Sequence, residues 1–231
     1  MMEFKPKQET KKIPEVGYDL LNLDASKAEQ LKTRIKKWQG LVRMFVHPMF
    51  EKWRWGDEYP GHPHKAELFQ IEEVLAKLLA MPEEKTPAMI IFEEVKHLEE
   101  LKCWLKENPQ GISQNGVYFV ATGPKPGSPT PDVRGKDEKE AWKTLSDKLT
   151  ELGVKKILMA GQQLDVSEFK QDWTEKGPWV ARCVGIALSH LSKDKAGKFE
   201  VELSALTMPR EKRDYFNKAK NKDNITTGGL D

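Results

Sequence analysis

The sequence predicts an α/β domain, a three-layer α/β/α sandwich with a mostly parallel central sheet. Short apolar runs alternate along the chain with segments whose apolar residues recur at helical spacing. Strand-like and helix-like segments follow one another throughout, the order that yields parallel strands joined by helices on both faces. Punctuation by residues that stop helices falls between them, as at Gly40, Asn108-Pro109 and Gly153.

Residues 1–16 are polar and lysine-rich and are expected to form a peripheral tail, with a single domain over 17–209 and a second polar tail over 210–231. Ser26 is the expected N-cap of a first helix through Gln39, with Leu31, Ile35 and Trp38 on one face and Gly40 as its stop. LVRMFVHP (41–48) reads as a strand ended by Pro48, because proline cannot donate to the ladder. A tryptophan-rich loop follows over 50–64. A helix is then expected from Lys65 to Ala80, with Leu68, Ile71, Leu75 and Leu78 or Leu79 inward.

AMIIFEE (88–94) is the second strand. The helix Val95–Glu107 carries Leu98, Leu101 and Leu105 at helical spacing, until Asn108-Pro109 breaks it. VYFVATG (117–123) is the third strand and runs into the loop PKPGSPTPDVRG. Glu138–Leu152 is helical, with Trp142, Leu145 and Leu149 on its apolar face and Gly153 beyond its end. KKILMAG is the fourth strand, Cys183–Ser192 the last helix and KFEVELSAL the fifth strand. No segment repeats another.

Composition narrows the function. Of 231 residues, 38 are basic and 36 acidic, giving a net charge of +2. Such a balance provides no general field for nucleic acid or a membrane surface. No apolar run approaches the roughly 20 residues that span a bilayer, and the amino terminus has no apolar core of the kind a secretion signal needs. The two cysteines, Cys103 and Cys183, fall in different helices, so no disulfide framework is expected and the cytoplasm is the expected compartment.

In a parallel α/β sheet the chemistry collects at the carboxyl ends of the strands. Those positions are His47-Pro48, Glu93-Glu94, Thr122-Gly123-Pro124-Lys125 and Gly161-Gln162-Gln163 with Asp165, and Cys183 stands at the following helix start. Backbone N–H groups at a helix start favour a thiolate and can hold an oxyanion, which makes Cys183 a candidate nucleophile, although an unpaired cysteine among apolar neighbours is more often a small buried hydrophobe.

Three stretches, LVRMFVHPMFEKWRWGDEYPG, TLSDKLTELGVKKILMAGQQLD and RCVGIALSHL with the strand FEVELSAL after it, resemble the isochorismatase-like cysteine hydrolases. That family uses an aspartate at the end of its first strand, a lysine near the end of its third and a cysteine at a helix start. The resemblance implies Cys183 as nucleophile and Lys125 as the residue that orients substrate. His47 stands where the family has its aspartate, and a histidine can serve as base toward a thiol. Residues 166–180, ahead of Cys183, form a longer segment than the family places there.

Trp53 and Trp55 are candidates to wall the pocket and Gln162 to contact substrate; packing of the long loop onto the domain is the alternative for the tryptophans. His62-Pro63-His64 beside Asp57 and Glu58 has side chains suited to zinc, but two histidines about a proline in a polar loop read as surface residues, and no metal or cofactor is expected. TGPKPGSPTP lacks the ending of a phosphate-binding loop.

The expected function is hydrolysis of a small amide, ester or ether-linked substrate through Cys183, with His47 or a nearby carboxylate taking the thiol proton. The alternative is an inactive domain of the same fold that serves as a binding or assembly subunit. The expected partner is a small-molecule substrate, with neither nucleic acid nor membrane, and self-association into a homo-oligomer is compatible with either reading.

Overall fold

Four of the strands are largely apolar on both faces, and that composition is what a sheet buried between two helical layers requires. In the computed structural model, which describes residues 17–48, 78, 81, 85–107, 117–123, 128–161, 183–193 and 197–203, six strands form one sheet. They are β1 (Tyr18–Asp19), β2 (Leu41–Val46), β3 (Ala88–Glu94), β4 (Val117–Thr122), β5 (Lys156–Gly161) and β6 (Glu200–Leu203). Four helices are described with them: α1 (Ala25–Lys37), α2 (Val95–Glu107), α3 (Glu138–Glu151) and α4 (Cys183–Leu191). Every strand pairing is parallel, in the order β1-β4-β3-β2-β5-β6.

Alternation along each strand sorts the core into two layers. Val42, Met44 and Val46 of β2, Ile90 and Phe92 of β3 and Ile157 and Met159 of β5 pack with Leu31 and Ile35 of α1, Trp142, Leu145 and Leu149 of α3, and Val184, Ala187 and Leu188 of α4. Phe45, Met89, Ile91, Phe119 and Ala160 point the other way, against Leu101 and Leu105 of α2 and against Leu78. The expected three layers are therefore present; of the predicted inward residues, Leu31, Ile35, Leu101, Leu105, Trp142, Leu145 and Leu149 are buried, whereas Trp38 and Leu98 are half-buried.

The winding explains the layers. From β2 the chain steps through β3 to β4 toward one edge, then returns past β2 to lay down β5 and β6 toward the other. Right-handed crossovers place the connections of opposite steps on opposite faces. Accordingly α2, between β3 and β4, lies on one face, while α3 and α4 lie on the other. The order reverses between β2 and β5, whose carboxyl ends, Val46 and Gly161, are register partners. A reversal of this kind leaves a crevice beyond the strand ends.

Several local expectations are corrected. The first helix is capped by Asp24, not Ser26: Asp24 is extended and accepts the Lys27 N–H at 2.8 Å, which leaves Ser26 inside the first turn. The helix ends at Lys37, and Gln39 and Gly40 turn the chain with φ of 55° and 90°. The short strand β1, bonded to the β4 edge, carries too few residues to show a period and was not expected. The expected tails (1–16 and 210–231), most of the expected helix Lys65–Ala80 and the segment 166–180 lie outside the described residues. Among the described residues no helix is long and apolar enough to cross a membrane.

Candidate functional site

Gly161 closes β5 where the sheet order reverses. A Cβ added there would stand 2.3 Å from the Val46 carbonyl oxygen and 2.9 Å from Val184 Cγ2. Only a residue without a side chain lets the end of β2, the end of β5 and the first turn of α4 approach this closely. Val46 precedes His47 and Val184 follows Cys183, so this packing brings together two residues 136 positions apart in sequence.

His47 continues the ladder by one rung, donating its N–H to the Phe92 carbonyl at 2.9 Å. Its φ of 47° then breaks the pleat. Histidine is among the residues enriched at positive φ, and the following Pro48 disfavours a right-handed helical turn at position 47. A continued strand would carry the side chain to the face of Phe45; the turn carries it to the face of Val46, where its ring partners lie.

Those partners are Cys183 and Thr122. Nδ1 of His47 is 3.1 Å from Cys183 Sγ, and Nε2 is 3.0 Å from Thr122 Oγ1. His47 has no exposed surface, and Cys183 and Thr122 are each 1 % exposed. Cys183 opens α4, and the N–H groups of a first helical turn, which have no acceptor within the helix, favour a negative sulfur. Burial pushes the His47 imidazole down to about 4; the Glu94 carboxylate opposes this and His97 adds to it. The ring is therefore neutral near pH 7, with one nitrogen able to accept a proton. A thiol within hydrogen-bond reach of a neutral, oriented imidazole is an arrangement capable of nucleophilic chemistry.

Two carboxylates close β3, and of these Glu94 is near enough to act on the charge of His47. Glu94 is the register partner of Thr122 and shares the parity of Phe92, whereas Glu93 shares that of Ile91. Glu93 Oε1 accepts the Glu94 N–H at 3.0 Å, and Glu94 Oε2 is 3.0 Å from Lys96 Nζ and 4.0 Å from His97 Nε2. Both glutamates are buried.

Of the residues singled out from sequence, the structure thus joins Cys183 and His47. Lys125, Trp53, Trp55 and Gln162, together with His62 and His64, lie outside the described residues. Thr122 was recognisable as a strand end but had no role assigned, and Gly161 likewise; a threonine closing an otherwise apolar strand is the signal that could have found it. Among the described residues no group of three or more His, Cys, Asp or Glu side chains is placed to hold a metal ion. Comparison of the chain with protein-family models, with curated proteins and with solved structures returned no match.

Proposed function

We propose that the protein is a cysteine-dependent hydrolase of small amide, ester or ether-linked substrates, built on a divergent isochorismatase-like domain. The 3.1 Å separation of Cys183 Sγ and His47 Nδ1 carries this reading. On an amide or ester, Sγ attacks the carbonyl carbon while its proton passes to Nδ1. The first-turn N–H groups of α4 stabilise the resulting oxyanion, and the imidazolium returns the proton to the departing amine or alcohol. Water, deprotonated by the same nitrogen, then hydrolyses the thioester. Lys125 as the orienting residue, with Trp53, Trp55 and Gln162 on the substrate side, completes the proposal.

Burial of both the sulfur and the imidazole favours a second reading, in which the fold serves binding or assembly and the Cys183–His47 contact is structural. Iodoacetamide labelling separates the two, with the exposed Cys103 as internal control. The hydrolase reading expects Cys183 to react faster than Cys103. It also expects a rate nearly constant from pH 7 down to 5 that falls only as His47 takes up a proton near its pKa of about 4. An unassisted thiol slows roughly tenfold per pH unit below its ordinary pKa of about 8.5. Cys183→Ala should fold and lose all turnover. Slow labelling of Cys183 with that steep pH dependence removes the mechanism and leaves the assembly reading.

A further inference from the structure

The imidazole of His47 is held at both nitrogens, and the second hold comes from two strands away. Thr122 closes β4, on the far side of β3 from β2. Its position is fixed by the chain that follows: Gly123 N–H donates to the Thr130 carbonyl at 2.9 Å, Asp132 N–H to the Ala121 carbonyl at 2.8 Å, and Thr122 bridges to Pro131. A β-branched side chain on so constrained a backbone has few rotamers open to it. Its hydroxyl lies 3.0 Å from Nε2, with both residues buried.

A neutral imidazole has one N–H, and which nitrogen bears it decides what the ring can do. If Nδ1 bore the hydrogen, the Thr122 hydroxyl would donate to Nε2, the only N–H of the ring would be directed at sulfur, a weak acceptor, and the ring could not take the thiol proton at that position. If Nε2 bears it, the N–H meets a hydroxyl oxygen and the thiol donates to the bare Nδ1. The second arrangement spends the ring N–H on oxygen rather than on sulfur, and it is the one in which Nδ1 can take the thiol proton.

We propose that Thr122 is a positioning residue: its hydroxyl accepts the Nε2–H of His47 and so holds the tautomer whose Nδ1 lone pair faces the Cys183 thiol. The consequence for the reaction rests on the cysteine-hydrolase reading; the tautomer itself does not. A neutral hydroxyl in this place orients the ring without the charge that a carboxylate would bring.

Nitrogen-15 spectra of the imidazole rings, with the His47 signals assigned by their loss in His47→Asn, test the tautomer directly. Wild-type protein at pH 7 should show Nε2 protonated and Nδ1 bare. Thr122→Ser should keep that pattern, and Thr122→Val, which keeps the shape and removes the hydroxyl, should shift it toward the other tautomer. In parallel, alkylation of Cys183 at pH 6 should fall roughly tenfold in Thr122→Val, the size of one lost hydrogen bond, and recover in Thr122→Ser with Cys103 unaffected. Nδ1 protonated in the wild type overturns the proposal even if no variant folds, as does an unchanged tautomer in Thr122→Val. A Cys183 that proves inert in every form counts against the hydrolase and leaves the tautomer result to judge Thr122.

Discussion

Replacing His47 by asparagine should flatten the acid limb of the protein's stability. Asparagine tolerates the positive φ that position 47 requires, so the backbone can stay in place while the titrating ring is removed. The folded-state imidazole titrates at about 4 because burial disfavours its charge. In the unfolded chain it returns to about 6.5. Between these values the unfolded state binds the proton and the folded state does not, so stability falls as pH is lowered from 6.5 to about 4 and is level with respect to this group outside that window. The full difference corresponds to roughly 3 kcal/mol, of which about 2 to 3 kcal/mol is lost by pH 4.5. Urea unfolding of the wild type and of His47→Asn at pH 7 and at pH 4.5 reads this out. The variant loses packing at both pH values, so the informative quantity is the change between them, which should be smaller in the variant by that amount. Equal changes in the two proteins would mean that burial does not lower the His47 pKa, and the account of the ring as held neutral well below pH 6.5 would fall.

Two further substitutions probe how the site is assembled. Gly161→Ala drives a methyl group into the Val46 carbonyl and Val184; it should cost about 1–3 kcal/mol in chemical denaturation and narrow the iodoacetamide reactivity advantage of Cys183 over Cys103, since the elements carrying His47 and Cys183 must part. Asp24→Ala should cost about 1 kcal/mol through loss of the bond to Lys27 N–H, while Ser26→Ala, inside the first turn, should change the urea midpoint little; the reverse ranking would restore Ser26 as the cap.

Much of the architecture was legible because its signals are local. Leu31 and Ile35, Leu101 and Leu105, and Trp142, Leu145 and Leu149 recur at the helical period, and each set is buried as that period requires. The runs 41–46, 88–94, 117–122 and 156–161 are apolar on both faces and form the parallel strands. The helix cap failed for an equally local reason, since Asp24 and Ser26 are both good caps and two residues apart. β1 failed because a two-residue strand owes its existence to the edge of β4 rather than to its own pattern.

Strand ends and helix starts are written in local pattern, which is why His47, Glu93, Glu94, Thr122, Gly161 and Cys183 stand out as positions where chemistry could gather. Which of them meet depends on the order of the strands. Strand order is set by crossovers and long-range packing that leave no periodic mark in the chain, and it is this order, β1-β4-β3-β2-β5-β6, that sets β2 beside β5 and brings His47 to Cys183. The positive φ of His47 and the bare backbone of Gly161 then complete the approach. Thr122 joins the pair from two strands away, across a distance that sequence spacing alone does not encode.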